Sequence, residues 1–399
     1  MEWIEGGVTA PQGYAAAGVA CGLKKDGRPD LALLLSEKPA ASAGVFTANQ
    51  IKGHSLLLTQ KRVGRPVRAV LVNSGNANAC LGPRGDADAR AATSFVAETF
   101  GLAEEEVLFA STGVIGQPLD LAAIRRGVLL ARDALGRHGG PAAAQAIMTT
   151  DTFPKQAAVR LAFHGTAIRI GGMAKGAGMI HPNLATLLGF LTTDAPVGSE
   201  ALGLALRAAV EESFNAVTVD GDTSPCDMVI ALANGAAGGK EIEAGTEEFS
   251  LLVAALTEVC QALAKMVARD GEGATKFLTI VVRGARSPAE ARRIGRAVGV
   301  SPLVKTAIFG ADANWGRIIN AVGNAGVPID PGKIRIELGG LLVCQDGAAV
   351  PFAEEKAKAI LAGREIEILI DLGLGEAAAT VWSCDLSYDY VKINGSYRS

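Results

Sequence analysis

The sequence predicts an α/β protein in which sheets are layered with helices, and it argues against a doubly wound nucleotide-binding fold. Three observations carry that expectation. Amphipathic segments of period 3.6 and short apolar segments of strand length follow one another without an orderly βαβ repeat. The chain is 49% hydrophobic and 20% charged, so its 399 residues can bury a large core, in two or three domains or in one large α/β unit. No G-x-x-x-x-G-K-[ST] occurs, and the glycines of 171–178 lack the strand, spacing and helix of a dinucleotide fingerprint.

In chain order, Ala69–Val72 reads as a strand. Asp86–Phe100 and Leu119–Leu135 read as helices whose apolar residues return every three or four positions. Ala158–Phe163 and Ala167–Ile170 alternate on either side of His164-Gly165, which predicts a hairpin turn. Helix Ser199–Phe214, strand Met228–Leu232 and helix Phe249–Ala268 follow. The remainder alternates: strand Phe277–Val282, helix Pro288–Val298, strand Ile334–Leu338, helix Phe352–Leu361, then strands Glu365–Leu372 and Ala377–Trp382. Glycine clusters at Gly171–Gly178, Gly235–Gly239 and Gly271–Gly273 are candidate hinges or ligand loops. No low-complexity linker marks a domain boundary.

A net charge of −3 leaves no electrostatic footprint for nucleic acid or an anionic membrane, so a small-molecule enzyme is the default expectation. Met1-Glu-Trp-Ile-Glu5 lacks the basic and apolar regions of a signal peptide, and no uncharged apolar run reaches the ~18 residues of a membrane span. The six cysteines are scattered without C-x-x-C spacing, which suits reduced thiols in the cytoplasm. Four histidines, none in a ligand spacing, argue against a metal site. No G-x-S-x-G elbow supports a serine triad.

Thr186 is a lone hydroxyl in the apolar run Met179–Phe190, behind His181-Pro-Asn183. Periodicity leaves two structures open. Leu184, Leu187, Leu188 and Leu191 fit a helix capped by Asn183, and the same run up to Thr192-Thr-Asp-Ala-Pro196 fits a strand. On local pattern alone the threonine caps or lines such an element. Its other use is as a nucleophile. Cleavage before it would free an α-amino group of pKa ~7.7–8, able to act as base for its own hydroxyl. Ala185 leaves the scissile carbonyl unhindered.

The sequence resembles the ornithine acetyltransferase family, the bifunctional glutamate N-acetyltransferases of arginine biosynthesis, nearly end to end. The stretches that carry the resemblance are Asn73-Ser-Gly-Asn-Ala-Asn78, Ser111-Thr-Gly-Val-Ile-Gly116 and Met148-Thr-Thr-Asp-Thr-Phe-Pro-Lys155. They continue with Lys175-Gly-Ala-Gly-Met-Ile-His-Pro-Asn-Leu-Ala-Thr186, Asp220-Gly-Asp-Thr-Ser224, Asp270-Gly-Glu-Gly-Ala-Thr-Lys276, Ala313-Asn-Trp-Gly-Arg317 and Ile393-Asn394. Any one is modest; together, in order, they are specific.

The resemblance implies a self-processing threonine-nucleophile architecture, cut between Ala185 and Thr186. It gives a first fragment, 1–185, and a second, 186–399, sharing one intertwined fold. Thr186 becomes the nucleophile, and Thr112 and Gly113 form the oxyanion hole. The family's substrate contacts fall on Thr152, Lys175, Thr186, Glu272, Asn394 and Ser399. Lys175 suits a carboxylate and Glu272 an ammonium group. Ser399 stands where members often carry threonine, and keeps the hydroxyl. The implied reaction is acetyl transfer from N2-acetyl-L-ornithine to L-glutamate through an acyl-threonine, by a ping-pong route. No cofactor is required, and acetyl-CoA is a candidate second donor. The implied assembly is a heterotetramer of two first and two second fragments, in the cytoplasm. Two rivals stay open from the residues themselves: a threonine-nucleophile amidohydrolase or aminopeptidase on a related scaffold, and a non-catalytic amino-acid-binding protein.

Overall fold

The computed structural model describes residues 1–163, 166–181 and 187–396. It divides into two compact units. The first comprises Met1–Gly176, Asn183–Asn215 and Asp222–Leu263; the second comprises Ala177–Pro182, Ala216–Gly221 and Ala264–Ser399.

The strands of the first unit are β1 (Glu2–Trp3), β2 (Tyr14–Val19), β3 (Leu31–Phe46), β4 (Val67–Asn76), β5 (Val107–Val114), β6 (Lys155–Phe163), β7 (Thr166–Lys175), β8 (Leu188–Thr193) and β9 (Met228–Ala233). They run β1-β6-β7-β8-β9-β3-β4-β5, with β2 added on β3. The 16-residue β3 joins two halves. Its first part pairs with β2 and β4, and Ala41–Phe46 pairs with β9. A strand that changes partners midway lets one sheet fold across itself. Residues of both halves, among them Leu34, Val70, Leu108, Phe190 and Ile230, share a core with Ala143, Ala144 and Ile147. The opposite face of the β2–β5 half, with Leu31, Leu33, Leu71 and Phe109, packs on Ala92, Val96, Ile124 and Val128. Both faces of the paired segments of β3 and β4 are therefore apolar, and Leu31–Leu35 and Ala69–Val72 run continuously hydrophobic.

Helices α1 (His54–Arg62), α2 (Pro83–Phe100), α3 (Leu121–Ala134), α4 (Gly140–Ala146) and α5 (Ser199–Glu211) cover this sheet together with most of α6 (Glu247–Arg269). Pro83 opens α2 and Asp120 caps α3 by accepting from the Ala123 amide. The helix α6 is long and apolar enough to cross a membrane by composition. Half of that window is buried, on the face of Leu252, Leu256, Val259, Leu263 and Val267, as expected of a core helix.

The second unit holds β10 (Phe277–Ala285), β11 (Arg335–Leu338), β12 (Leu341–Gln345), β13 (Ala348–Ala349), β14 (Glu365–Asp371) and β15 (Ala377–Cys384), in the order β13-β12-β11-β14-β10-β15. Helices α7 (Pro288–Val300), α8 (Pro302–Phe309), α9 (Trp315–Gly323), α10 (Glu354–Leu361) and α11 (Tyr388–Gly395) complete it. Ile280, Val282, Ile294, Val298, Ile318, Ile368 and Val381 centre its core.

The expected layered α/β class is what is observed. Every expected helix and strand has a counterpart, with ends displaced by a few residues. The described part of the ambiguous run is a strand from Leu188, β8, where parallel pairing with β9 and antiparallel pairing with β7 decide; Asn183–Thr186 lie outside the described residues. The flanks of the expected hairpin pair with Phe163 opposite Thr166, and the turn residues His164 and Gly165 lie outside the described residues. One expectation needs correction. Gly171 and Gly172 belong to β7 and are not a hinge. A Cβ at Gly171 would overlap the Gly7 carbonyl, so the glycine is there for close packing.

Candidate active site

Thr112 and Gly113 end β5, directly across the parallel β4 pair from Ser74 and Gly75. Gly113 has φ +132, and a Cβ there would overlap the Gly75 backbone. Only glycine fits both the conformation and the approach. The Asn73–Asn78 stretch wraps this end in polar contacts. Ser111 Oγ donates to Asn76 O (3.0 Å) and accepts from Asn78 N (3.0 Å), and Ser74 Oγ donates to Ala146 O (2.6 Å). The β5 terminus is thus held rigidly before any ligand arrives.

Lys175 closes β7, pairing with Leu188. Its side chain is almost buried, and Nζ donates to Thr112 Oγ1 at 3.5 Å. Because that oxygen accepts from Lys175, the hydroxyl proton of Thr112 is left to donate elsewhere. Beside it, Asp151 accepts from Lys155 Nζ (2.7 Å), Gly176 N (2.7 Å) and Thr149 N (2.9 Å). Burial alone would raise the Asp151 carboxyl. The charges of Lys175 and Lys155 and the hydrogen bonds outweigh it and bring it down to about 2. Thr152, the next residue, is exposed.

A loop folded by Asp30, whose carboxylate accepts from the amides of Cys21, Gly22, Leu23 and Lys24, lays Leu23 and Lys24 over Gly75. Lys24 Nζ donates to Pro29 O (2.7 Å) and Met148 O (2.8 Å). Burial first, then Arg28, depresses its ammonium to about 8, with Lys175 adding to the effect against the acids Asp30 and Asp26. Cys226 is buried, and desolvation pushes its thiol well up, which removes it as a nucleophile.

In the second unit, Glu272 is buried beneath Gly178, where a Cβ would overlap the carboxylate. The Glu272 amide donates to Ala177 O (2.8 Å), and Asn394 Nδ2 donates to Glu272 Oε2 (2.7 Å). The turn that continues from Gly178 is strained: Met179 has φ +57. Asp220 holds it, accepting from Met179 N (2.6 Å), Ile180 N (2.9 Å) and Tyr390 OH (3.3 Å).

The structure therefore brings Thr112, Gly113 and Lys175 together in the first unit, and Glu272 with Asn394 in the second. Ala185, Thr186 and Ser399 lie outside the described residues. Reasoning from the sequence passed over Asp151, Lys155, Asp220 and Lys24. The first three lie inside the quoted stretches. The signal was an acid and a base four apart across Pro154, where no helix explains the spacing.

A profile of the ArgJ family matches residues 15–399. The arginine biosynthesis bifunctional protein ArgJ of Symbiobacterium thermophilum is 51% identical over 402 residues, covering 100% of both chains. Its counterpart from Caldanaerobacter subterraneus subsp. tengcongensis is 46% identical over 404 residues, again covering 100% of both. Among solved structures, the Bacillus halodurans arginine biosynthesis bifunctional protein argJ matches with TM-score 0.50 and 42% identity, over 52% of this chain and 97% of that one. A full-length match at this identity, through the strand end that carries Thr112 and Gly113, is decisive: the chain belongs to the ArgJ family.

Proposed function

We propose that this chain moves an acetyl group from N2-acetyl-L-ornithine to L-glutamate through an acyl-threonine on Thr186, as an enzyme of arginine biosynthesis in the cytoplasm. The observation that carries the reading is the nearly buried Lys175 ammonium against the Thr112 hydroxyl, beside the glycine-lined end of β5. A cation that can read a carboxylate stands next to a hydroxyl whose proton is available to an oxyanion.

Self-cleavage comes first: Thr186 Oγ attacks the Ala185 carbonyl, the acyl group shifts from nitrogen to oxygen, and water hydrolyses the ester. The freed α-amino group then serves as base. It takes the hydroxyl proton as Oγ attacks the acetyl carbonyl, while the Thr112 hydroxyl and Gly113 N–H hold the oxyanion. Collapse breaks the C–N bond, and the proton passes to the departing amine of ornithine. The amine of glutamate attacks the resulting ester in the reverse sense. Lys175 meets the substrate carboxylate, Glu272 with Asn394 meets an ammonium group, and Thr152 and Ser399 fix orientation. The chemistry requires no resident cofactor. Acetyl-CoA is a second donor to the same threonine, and the processed chain assembles as two first and two second fragments.

An intact-mass spectrum tests the reading. It should show residues 1–185 and 186–399 as separate pieces, with N2-acetylornithine alone adding one acetyl mass to the second. Thr186→Ala should remain one inactive chain. Cleavage of that variant, or transfer by it, overturns the proposal.

A further inference from the structure

We propose that Asp151 is a positioning residue: through the Gly176 amide it fixes the end of β7, and with it the Lys175 ammonium, while Lys155 neutralises its charge. The inference rests on the reading of Lys175 as the carboxylate contact.

The geometry is unusual for a structural ion pair. Lys155 is fully buried, and Asp151 and Lys175 are nearly so. Burying an ion pair is weak grounds for stability, because desolvation offsets the attraction. Such a pair is retained where its charges or hydrogen bonds do something an apolar pair could not.

Here the hydrogen bonds converge on one place. Lys155 opens β6 and sits opposite Ala174, the residue before Lys175. Asp151 Oδ1 takes both Lys155 Nζ and the amide of Gly176, the residue after it. Lys175 is therefore fixed through the backbone on either side. Among the described residues, the one hydrogen bond of its ammonium group is the long contact to Thr112.

The charge count explains the second lysine. Asp151 with Lys175 alone would sum to zero, and the carboxylate would quench the field an anionic substrate must feel. Lys155 restores one net positive charge to the buried cluster. Asp151 thus holds Lys175 in place without neutralising it.

Two double variants separate the hydrogen bond from the charge. D151N/K155M keeps an acceptor for the Gly176 amide and removes one charge of each sign. D151L/K155M removes the acceptor as well, and an apolar pair replacing a buried ion pair is commonly tolerated. The readout is KM for N2-acetylornithine, which does not depend on the fraction of active enzyme. D151N/K155M should stay within about threefold of the unmodified enzyme, whereas D151L/K155M should rise about tenfold or more, the loss of one charged contact. The preference for N2-acetylornithine over N-acetylputrescine, which lacks the carboxylate, should fall by the same factor. Equal KM in both variants overturns the proposal. A tenfold rise in D151N/K155M also overturns it, whether or not the leucine variant folds. If the unmodified enzyme transfers nothing from N2-acetylornithine, the functional reading fails instead.

Discussion

Lys155 in the first unit and Lys305 in the second are both buried ammonium groups, and the two units treat them differently. Lys155 faces the Asp151 carboxylate at 2.7 Å. Among the described residues, the partners of Lys305 Nζ are all neutral: Cys384 O, Ser383 Oγ at 3.4 Å and Cys384 Sγ at 3.5 Å. Lys305 ties α8 to the end of β15, where carbonyl and hydroxyl dipoles suffice for a structural contact. Lys155 lies one strand from Lys175, where a full counter-charge has a second use. A buried lysine with neutral partners secures a joint; one with a carboxylate sets the electrostatics of its neighbours.

The largest expected effect breaks this contrast directly. Lys155→Met strips the hydrogen-bonded counter-charge from a buried carboxylate and should cost about 3–5 kcal/mol of unfolding free energy. Lys305→Met leaves no buried charge behind and should cost about 1–2 kcal/mol, the value of neutral-acceptor hydrogen bonds. Urea unfolding of both variants measures the difference. Equal losses would mean that Asp151 is no more dependent on Lys155 than a carbonyl would be.

The contrast also separates Lys175 from the residues that fix it. Thr112→Val preserves shape and β-branching on β5, and among the described residues the side chain loses one long hydrogen bond. Stability should change by less than about 1 kcal/mol, yet transfer should slow by about 10²–10³ if the hydroxyl is an oxyanion donor. An unchanged kcat would reduce Thr112 to a strand residue whose contact with Lys175 is incidental.

How much of this was legible in the sequence varies by region, for physical reasons. Helices such as α3 and α7 could be read because one apolar face is enough to display the 3.6 period. The first part of β3 could not, since Leu31–Leu35 is apolar on both faces and Glu37, Lys38 and Pro39 interrupt the strand. Short α4 shows mainly alanine and glycine, which fit its close contact with β2 and give no amphipathic signal. At β8 the neighbouring strands decide, a non-local fact that no window contains. In the candidate site, Thr112, Gly113, Lys175, Glu272 and Asn394 were found through the family resemblance. Their spacing alone would not have singled them out. Asp151 and Lys155 escaped because a buried ion pair is defined by burial, and composition does not report burial.

The smallest effect concerns Lys24, a third lysine whose hydrogen bonds, like those of Lys305, go to neutral acceptors, here the Pro29 and Met148 carbonyls. Burial and the neighbouring cations lower its ammonium from 10.5 to about 8. A base depressed in the fold is protonated less readily there than in the unfolded chain. Between about pH 8 and 10.5 the unfolded state therefore binds more protons, and stability rises with pH across that window. Below pH 8 the cost of burying the charge is present in full. Alkaline pH acts on the whole chain, so only a difference isolates the group. Lys24→Met carries no charge at any pH. The unfolding free energy of the unmodified chain minus that of Lys24→Met should climb from pH 8 to pH 10.5 and be level below pH 7. A flat difference throughout would show that water reaches Lys24 well enough to solvate its charge. A falling difference would mean that Asp26 and Asp30 stabilise the ammonium more than burial penalises it.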